Sequence, residues 1–172
     1  MSTHTPSAAP LFEGSGAEIQ ALRFPYRRSP DQDCPQAVHH SVVIVGAGPV
    51  GLGLAIEMAQ RGHAVVLLDR KDHLSEGSRA IAFAKRTLEI WDRLGMGDRM
   101  VAKGVSWSQG KVFFKSDLVY QFNMLSEAGH ERPAFINLQQ YYAEAYLLER
   151  AMQLPTNDVR WLHEVVGVEP SD

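Results

Sequence analysis

Cysteine is almost absent from this sequence, and its scarcity excludes two kinds of site. Cys34 is the single cysteine among 172 residues, so the chain can form no internal disulfide and no cysteine cluster for a metal. The seven histidines are scattered, without an H-E-x-x-H pattern or a cysteine partner at the spacing of a zinc site. We therefore expect no metal centre.

Long apolar runs and strong charge are missing as well. Glycines interrupt the longest apolar runs, so we expect no transmembrane helix and no membrane association. The N-terminus lacks the basic-then-apolar pattern of a signal peptide, which favours a cytoplasmic location. The net charge is −3 and no basic patch accompanies the aromatic residues, so we expect no nucleic-acid partner.

The sequence does contain a glycine turn between two apolar runs, within residues 41–70. Val42–Val45 is rich in β-branched residues, which predicts a buried parallel strand. A helix over residues 50–61 and a second buried strand over residues 64–68 are predicted next, which completes a βαβ unit. The turn between strand and helix carries three glycines in the spacing G-x-G-x-x-G: Gly46, Gly48 and Gly51.

This turn has the properties of a dinucleotide site. Gly46 permits a tight turn, Gly48 lets a diphosphate approach the backbone, and Gly51 lets the helix pack closely on the strand. The helix N-terminus adds free amides and a partial positive charge. Asp69 follows Gly51 by 18 residues, near the spacing of an acid that binds an adenosine ribose, which favours FAD or NAD(H) over NADP(H). The structural alternative is a tight βαβ turn without a ligand.

The rest of the sequence mixes helical and strand periods. The predicted helices cover residues 83–94 and 138–154, with a short helical turn at 97–101. The predicted strands cover residues 111–115 and 118–122, joined as a hairpin through Ser116 and Asp117, and then residues 134–137, 159–163 and 165–168. Residues 126–133 are predicted to form a loop.

Residues 1–40 differ in composition from the rest of the chain. They are rich in Ser, Thr, Pro, Gly and Ala and have little hydrophobic periodicity. We expect a flexible extension that is disordered at its start, with residues 22–28 lying extended along the domain.

Three motifs in this order resemble the FAD-dependent aromatic-ring monooxygenases, the single-component flavin hydroxylases of the para-hydroxybenzoate and 3-hydroxyphenylpropionate hydroxylase type. The first motif is VGAGPVGL at residues 45–52, with Asp69 and Arg70. The second is Ser78-Arg-Ala-Ile followed by RTLEIWDRLG at residues 86–95, and the third is INLQQYYAE at residues 136–144, with Leu147 and Leu148 after it. Together they span about residues 42–151.

The resemblance implies a set of cofactor contacts. The FAD diphosphate would meet the glycines and the Val50 amide, and Asp69 would bind the ribose, where the family more often has Glu. A family arginine and a family glutamine also contact the cofactor, although Arg79 by itself is equally typical of a surface cation, and Gln139 leaves the register of the glutamine open by one. A structural role is expected for Glu144. The implied cofactor-binding residues are Gly46, Gly48, Val50, Gly51, Asp69, Arg79 and Gln140.

The resemblance also implies a fold and a reaction. The fold class is α/β: a Rossmann-like FAD-binding βαβ core with an added β-hairpin or meander, incomplete at the C-terminus. Residues 41–172 would be the N-terminal part of the FAD-binding domain, with residues 105–125 as the start of a substrate-covering sheet. The reaction would be hydroxylation of a phenolic or related aromatic substrate with O₂, with FAD as cofactor and NAD(P)H as transient reductant.

Other interpretations remain open at this point. The family's later Gly-Asp motif is not found after Gln140, so we expect the N-terminal portion of such an enzyme, inactive by itself, and we assign no catalytic acid or base. One alternative is a non-catalytic truncated nucleotide-binding module with exposed apolar faces. Another is an FAD or NAD oxidoreductase of a different class, although the sheet-like residues 111–122 argue against an NAD-binding dehydrogenase. The oligomeric state has no signature in the sequence.

Overall fold

The computed structural model describes residues 12, 14–77, 79–125 and 127–170. The expected disorder at the start of the chain, Ser78 of the second motif and Ser126 at the start of the predicted loop lie outside the described residues. In chain order the elements are α1 (Gly16–Ala21), a 3-10 helix (Pro30–Asp33), β1 (Val43–Val45), α2 (Pro49–Gln60), β2 (Val65–Asp69), β3 (Ala82–Ala84), α3 (Lys85–Arg93), α4 (Gly97–Lys103), β4 (Val105–Trp107), β5 (Gln109–Phe114), β6 (Asp117–Asn123), β7 (Phe135–Asn137), α5 (Gln140–Met152) and β8 (Asn157–Trp161).

A parallel sheet carries the predicted βαβ unit. Its strand order is β1-β2-β8, with Ile44 opposite Leu67 and Leu67 opposite Val159. In β1 only Ile44 is buried, whereas Val43 and Val45 are exposed, because β1 is an outer strand of the sheet in the described residues. The βαβ unit and the α/β class predicted from the sequence are confirmed.

Helices α2 and α5 pack against each other and against this sheet. Their contact buries Leu52 and Ile56 of α2 together with Leu147 and Leu148 of α5, all without exposed surface. Full burial of a leucine or isoleucine side chain contributes about 1.5–3 kcal/mol each. The core that supports the glycine turn therefore lies between two helices far apart in the sequence.

A second, antiparallel sheet has the order β3-β7-β4. Phe83 lies in β3, opposite Ile136 of β7, and its ring packs on Trp91 with 4.8 Å between ring centroids. The prediction that a helix begins at Phe83 is therefore wrong, since α3 begins at Lys85. The apolar residues that suggested the first helical turn pair in a sheet instead.

Strands β5 and β6 form the predicted hairpin, with their turn at Lys115 and Ser116. The turn is one residue earlier than predicted, and Lys115 has a φ of 53°. Apolar side chains on this hairpin are exposed, among them Phe114 at 67% and Val119 at 65%. The assignment of this region to a substrate-covering sheet stays a prediction.

The N-terminal extension contacts the core of the chain. Ser15 caps α1 through a capping box with Glu18, and Ile19 of α1 is 2% exposed within the core. Phe24 stacks on Trp161. Composition gave no sign of these contacts, because Ile19 and Phe24 produce no periodic pattern, and the flexibility of residues 1–40 stays a prediction.

The chain leaves the parallel sheet after β8. Leu162 has a φ of 58°, and a left-handed residue of this kind ends a strand. The strand predicted over residues 165–168 is wrong, since the structure has no regular element there and Val166 is 94% exposed. Among the described helices, none combines the length and apolar character needed to cross a bilayer.

Candidate cofactor-binding site

The glycine turn leaves open space beside the first turn of α2. Gly46 has a φ of 103°, a conformation that glycine adopts without strain. A Cβ atom built on Gly46 or on Gly48 would have no neighbouring atom within 4 Å, so the backbone is open to a ligand on this side. A diphosphate can approach the backbone here as closely as hydrogen bonding requires.

Gly51 is needed for the opposite reason. A Cβ built at this position would lie 1.9 Å from the carbonyl oxygen of Gly46, which no side chain can tolerate. The close approach seats α2 directly over the end of β1. The tight turn at Gly46 and the close packing at Gly51 are thus present in the structure, and the approach of a diphosphate to Gly48 stays a prediction.

The N-terminus of α2 points free amides at the open space. Gly48 is the N-cap and makes no side-chain cap, and Pro49, which has no N–H, is the first helical residue. Leu52 N donates to Gly48 O at 2.9 Å, so the amides of Val50 and Gly51 precede the first helical hydrogen bond. These two donors and the helix dipole suit an anionic group.

Asp69 lies at the carboxyl end of β2 and is tied to the same turn. Its Oδ2 accepts a hydrogen bond from Ala47 N at 2.7 Å, and its Oδ1 accepts one from Lys71 N at 2.9 Å. Each carboxylate oxygen has a further lone pair, so two hydroxyl groups of a ribose can still be accepted. Asp69 thus both shapes the turn and presents a carboxylate to a ligand.

A pocket of about 280 Å³ opens at this carboxylate. Its lining includes Gly46, Asp69, Arg70, His163 and Val165. Residues from β2 and from the end of β8 line it together because β8 is parallel to β2, and carboxyl ends of neighbouring parallel strands share one edge of a sheet. The pocket therefore lies where open α/β sheets bind nucleotides.

His163 is a pocket residue that sequence reasoning missed. Its backbone N donates to Asp69 O at 2.9 Å, so it follows β8 as a direct neighbour of Asp69. The sequence placed it at the end of the predicted strand 159–163 and gave no indication that this strand would pair with β2. The signal that was available is its position at the end of a predicted strand, where polar residues reach the nucleotide crevice.

Arg79 and Gln140 form a second group, apart from the glycine turn in the sequence. Gln140 is the first residue of α5. Its Oε1 accepts from Ala80 N at 3.1 Å, and its Nε2 donates to Ser75 Oγ at 3.1 Å. Gln140 therefore holds residues 75–77, 79 and 80, here called the 75–80 loop, which carries the exposed Arg79.

Glu144 supports the same loop from below. It is 2% exposed, and it accepts hydrogen bonds from Ser75 N at 2.6 Å, Ser75 Oγ at 2.7 Å and Gln140 Nε2 at 2.7 Å. Its structural role agrees with the expectation from the sequence. The neighbouring Gln139 is the exposed N-cap of α5, so Gln140 is the glutamine that faces the loop. A direct contact of Gln140 or Arg79 with a cofactor stays a prediction.

Metal chemistry has no visible ligand set in this part of the molecule. Within residues 12, 14–77, 79–125 and 127–170, no group of three or more His, Cys, Asp or Glu side chains could hold a metal ion. The candidate site offers backbone amides as hydrogen-bond donors and the Asp69 carboxylate as an acceptor. These groups suit a diphosphate and a sugar.

Comparison with known proteins identifies a family and several relatives. Residues 39–172 match the family described as "FAD binding domain". A flavin-dependent monooxygenase from Mycobacteroides abscessus is 32% identical over 135 residues, which are 74% of this chain and 28% of that protein. The probable NADH-specific resorcinol 4-hydroxylase of Rhodococcus jostii is 32% identical over 135 residues, which are 76% of this chain and 25% of that protein.

A solved structure has the same fold. The p-nitrophenol 4-monooxygenase of Pseudomonas putida superposes with a TM-score of 0.71 and 27% identity, over 77% of this chain and 34% of that one. The chain thus spans between a quarter and a third of the length of these relatives.

Proposed function

Because the chain belongs to the family of FAD-binding domains, we propose that it is the FAD-binding portion of an NAD(P)H-dependent flavoprotein monooxygenase that hydroxylates a phenolic or related aromatic substrate. The observation that carries the proposal is the open backbone at Gly46 and Gly48, here called the cradle, which lies beside the Asp69 carboxylate. The donor set and the available space fit the adenosine diphosphate half of FAD.

The residues around the cradle have distinct tasks in holding that half. The Val50 and Gly51 amides donate to the diphosphate, where the dipole of α2 adds favourable charge. Asp69 accepts hydrogen bonds from the two ribose hydroxyls, and its negative charge disfavours a 2′-phosphate. Gln140 and Glu144 act on Arg79 through the 75–80 loop, and Arg79 donates to the cofactor. The bound flavin supplies the redox chemistry.

The relatives support the reaction class. Resorcinol and p-nitrophenol, in the names of two of them, are both phenols, and the resorcinol enzyme is described as NADH-specific. By analogy with these relatives, we propose that this protein uses a phenolic substrate, O₂ as the oxygen source and a reduced nicotinamide as reductant. We also propose a cytoplasmic location, which cell fractionation tests.

Cofactor binding is the first test. The purified chain is titrated with FAD by calorimetry, beside the variants Gly48→Val and Gly53→Ala. Gly48 has a φ of −81° and open space around it, so a valine at this position is compatible with the fold, but its side chain occupies the space of the diphosphate. We expect FAD affinity to fall at least about tenfold. Gly53 is the control, because its added Cβ meets only Leu94 Cδ1 at 3.7 Å. Equal FAD affinity of Gly48→Val and wild type would contradict the proposed cradle.

Because the N-terminal portion is expected to be inactive by itself, the reaction is tested on a chain extended to the length of its relatives, with FAD, NADH or NADPH, a panel of phenols and isotopically labelled O₂. A phenolic product that carries one labelled oxygen supports the monooxygenase. FAD binding without product supports the alternative, a non-catalytic nucleotide-binding module, which the exposed apolar side chains of β5 and β6 also favour. A chain that binds no FAD contradicts both.

A further inference from the structure

The N-terminal segment packs on the candidate site although it lies outside the family match. The match begins at residue 39, yet residues 22–29, here called the strap, run across the ends of β2 and β8. Phe24 N donates to Asp72 O at 2.7 Å, three residues after Asp69. The strap is therefore joined by its backbone to the segment that follows the ribose-binding carboxylate.

Two aromatic stacks join the strap to Trp161 and His163, where β8 borders the pocket. The Phe24 ring stacks on Trp161 with 4.5 Å between centroids and an interplanar angle of 14°. The Tyr26 ring stacks on His163 at 5.2 Å and 22°. Trp161 is the register partner of Asp69 and His163 lines the pocket, so both stacks fall on residues that border the site.

The strap is itself held in a defined position. The Tyr26 hydroxyl donates to Gln32 Oε1 at 2.7 Å, and the same oxygen accepts from Ser29 N at 3.1 Å. Ser29 is 5% exposed, and Arg160 of β8 donates to its Oγ at 3.1 Å and pairs with Asp31. The Tyr26 ring is thus anchored at its hydroxyl and at the residues that follow it.

The His163 ring needs the stack to stay where it is. Its Nδ1 lies 2.8 Å from Trp161 O, and a carbonyl only accepts, so Nδ1 carries the proton and Nε2 is the acceptor nitrogen. Nε2 is buried, and in the described part of the chain it has no hydrogen-bond partner. A buried unpaired acceptor favours a ring that swings out to water, and Tyr26 covers the ring against that movement.

We propose that Tyr26 is a positioning residue for cofactor binding: through its stack on His163, the strap fixes the pocket wall beside Asp69 for the adenosine half of a dinucleotide. This inference rests on the proposed function, because it takes FAD as the ligand of the Asp69 pocket. It assigns a role in the site to a segment that the family match leaves out.

The test compares Tyr26→Ala, Tyr26→Phe and Arg27→Ala. Tyr26→Phe keeps the ring and loses only the hydroxyl, and Arg27 is an exposed neighbour in the strap. FAD and ADP are titrated into each by calorimetry. We expect Tyr26→Ala to weaken both ligands by the same factor, about three- to tenfold, since an aromatic stack is the lost contact. Tyr26→Phe and Arg27→Ala are expected to bind as wild type.

A second measurement reads His163 without any ligand. Nitrogen-15 NMR of the imidazoles, with His163→Gln to assign the signal, is expected to report the Nδ1–H tautomer in wild type and Tyr26→Phe. In Tyr26→Ala it is expected to report a tautomer mixture. Wild-type FAD binding together with an unchanged tautomer and unchanged affinity in Tyr26→Ala would overturn the strap proposal alone. Failure of the wild type to bind either FAD or ADP would overturn the proposed function and the strap with it.

Discussion

The glycine turn and the 75–80 loop carry the two groups of proposed cofactor-binding residues, and the chain builds them differently. The turn is made by backbone: a positive φ at Gly46, a close approach of Gly51 to the Gly46 carbonyl and amides at a helix N-terminus. The loop is held by side chains of α5, Gln140 and Glu144. Geometry set by backbone is tolerant of side-chain changes around it, whereas geometry set by two side chains depends on both.

The largest effect is expected where the backbone approach is closest. Gly51→Ala places a Cβ against the Gly46 carbonyl, and we expect the free energy of unfolding to fall by about 2–4 kcal/mol. Urea denaturation measures it. Gly53→Ala in the same helix is the matched control, and it is expected to leave stability unchanged or raise it by up to about 1 kcal/mol. Equal stability of the two variants would show that the turn does not require its glycine.

Glu144→Ala tests the 75–80 loop, whose position depends on the side chains of Gln140 and Glu144. It removes the acceptor of Ser75 N, Ser75 Oγ and Gln140 Nε2, so buried donors lose their partner and stability is expected to fall by about 1–3 kcal/mol. Amide hydrogen exchange should accelerate at Ser75 and Ala80 and stay slow in α2. Gln139→Ala, at the exposed neighbour of Gln140, is the control. If amide exchange also accelerated throughout α2, the glycine turn and the 75–80 loop would not be independently supported.

The sequence predicted the βαβ unit and its glycine turn correctly because the signals for them are local. Three glycines, the proline at the helix start and an acid at a strand end lie within one stretch of chain, and each has one dominant conformational meaning. Prediction from the sequence failed where distant segments decide. Phe83 pairs with Ile136 of β7, from a distant part of the chain, instead of starting a helix. His163 and Tyr26 meet through strand pairing and stacking that no spacing in the sequence encodes.

Asp69→Asn tests the side chain that accepts a hydrogen bond from the glycine turn. An amide oxygen can accept from only one of Ala47 N and Lys71 N, and the amide NH2 group then faces the other donor, so we expect stability to fall by about 1–2 kcal/mol. FAD affinity is expected to fall about tenfold, because the charged acceptor for the ribose hydroxyls is lost. Discrimination between ADP and its 2′-phosphorylated form should narrow, since the repulsive charge is gone. Calorimetry with both nucleotides checks this, and unchanged discrimination would count against Asp69 as the ribose-binding residue.

The smallest effect concerns a long-range contact of side chains and depends on pH. Hydrogen bonds from Arg160 and His40 lower the pKa of Asp31. A carboxyl with a lowered folded-state pKa stabilises the fold above its unfolded pKa, and that contribution is lost as the pH falls through the folded value. We expect the stability gap between wild type and Asp31→Asn to be present near neutral pH and to close below about pH 4. Urea titrations at several pH values measure the gap, and a constant gap would contradict this linkage.

The pairing of β2 with β8 also has a kinetic consequence. Val65 faces Asn157, so the chain must close a very long loop before this edge of the sheet exists, whereas β1, α2 and β2 are consecutive and can assemble from nearby residues. Long loops close slowly and late. During synthesis the glycine turn would form well before the part of the pocket that contains His163, and the complete pocket would exist only once β8 has joined β2.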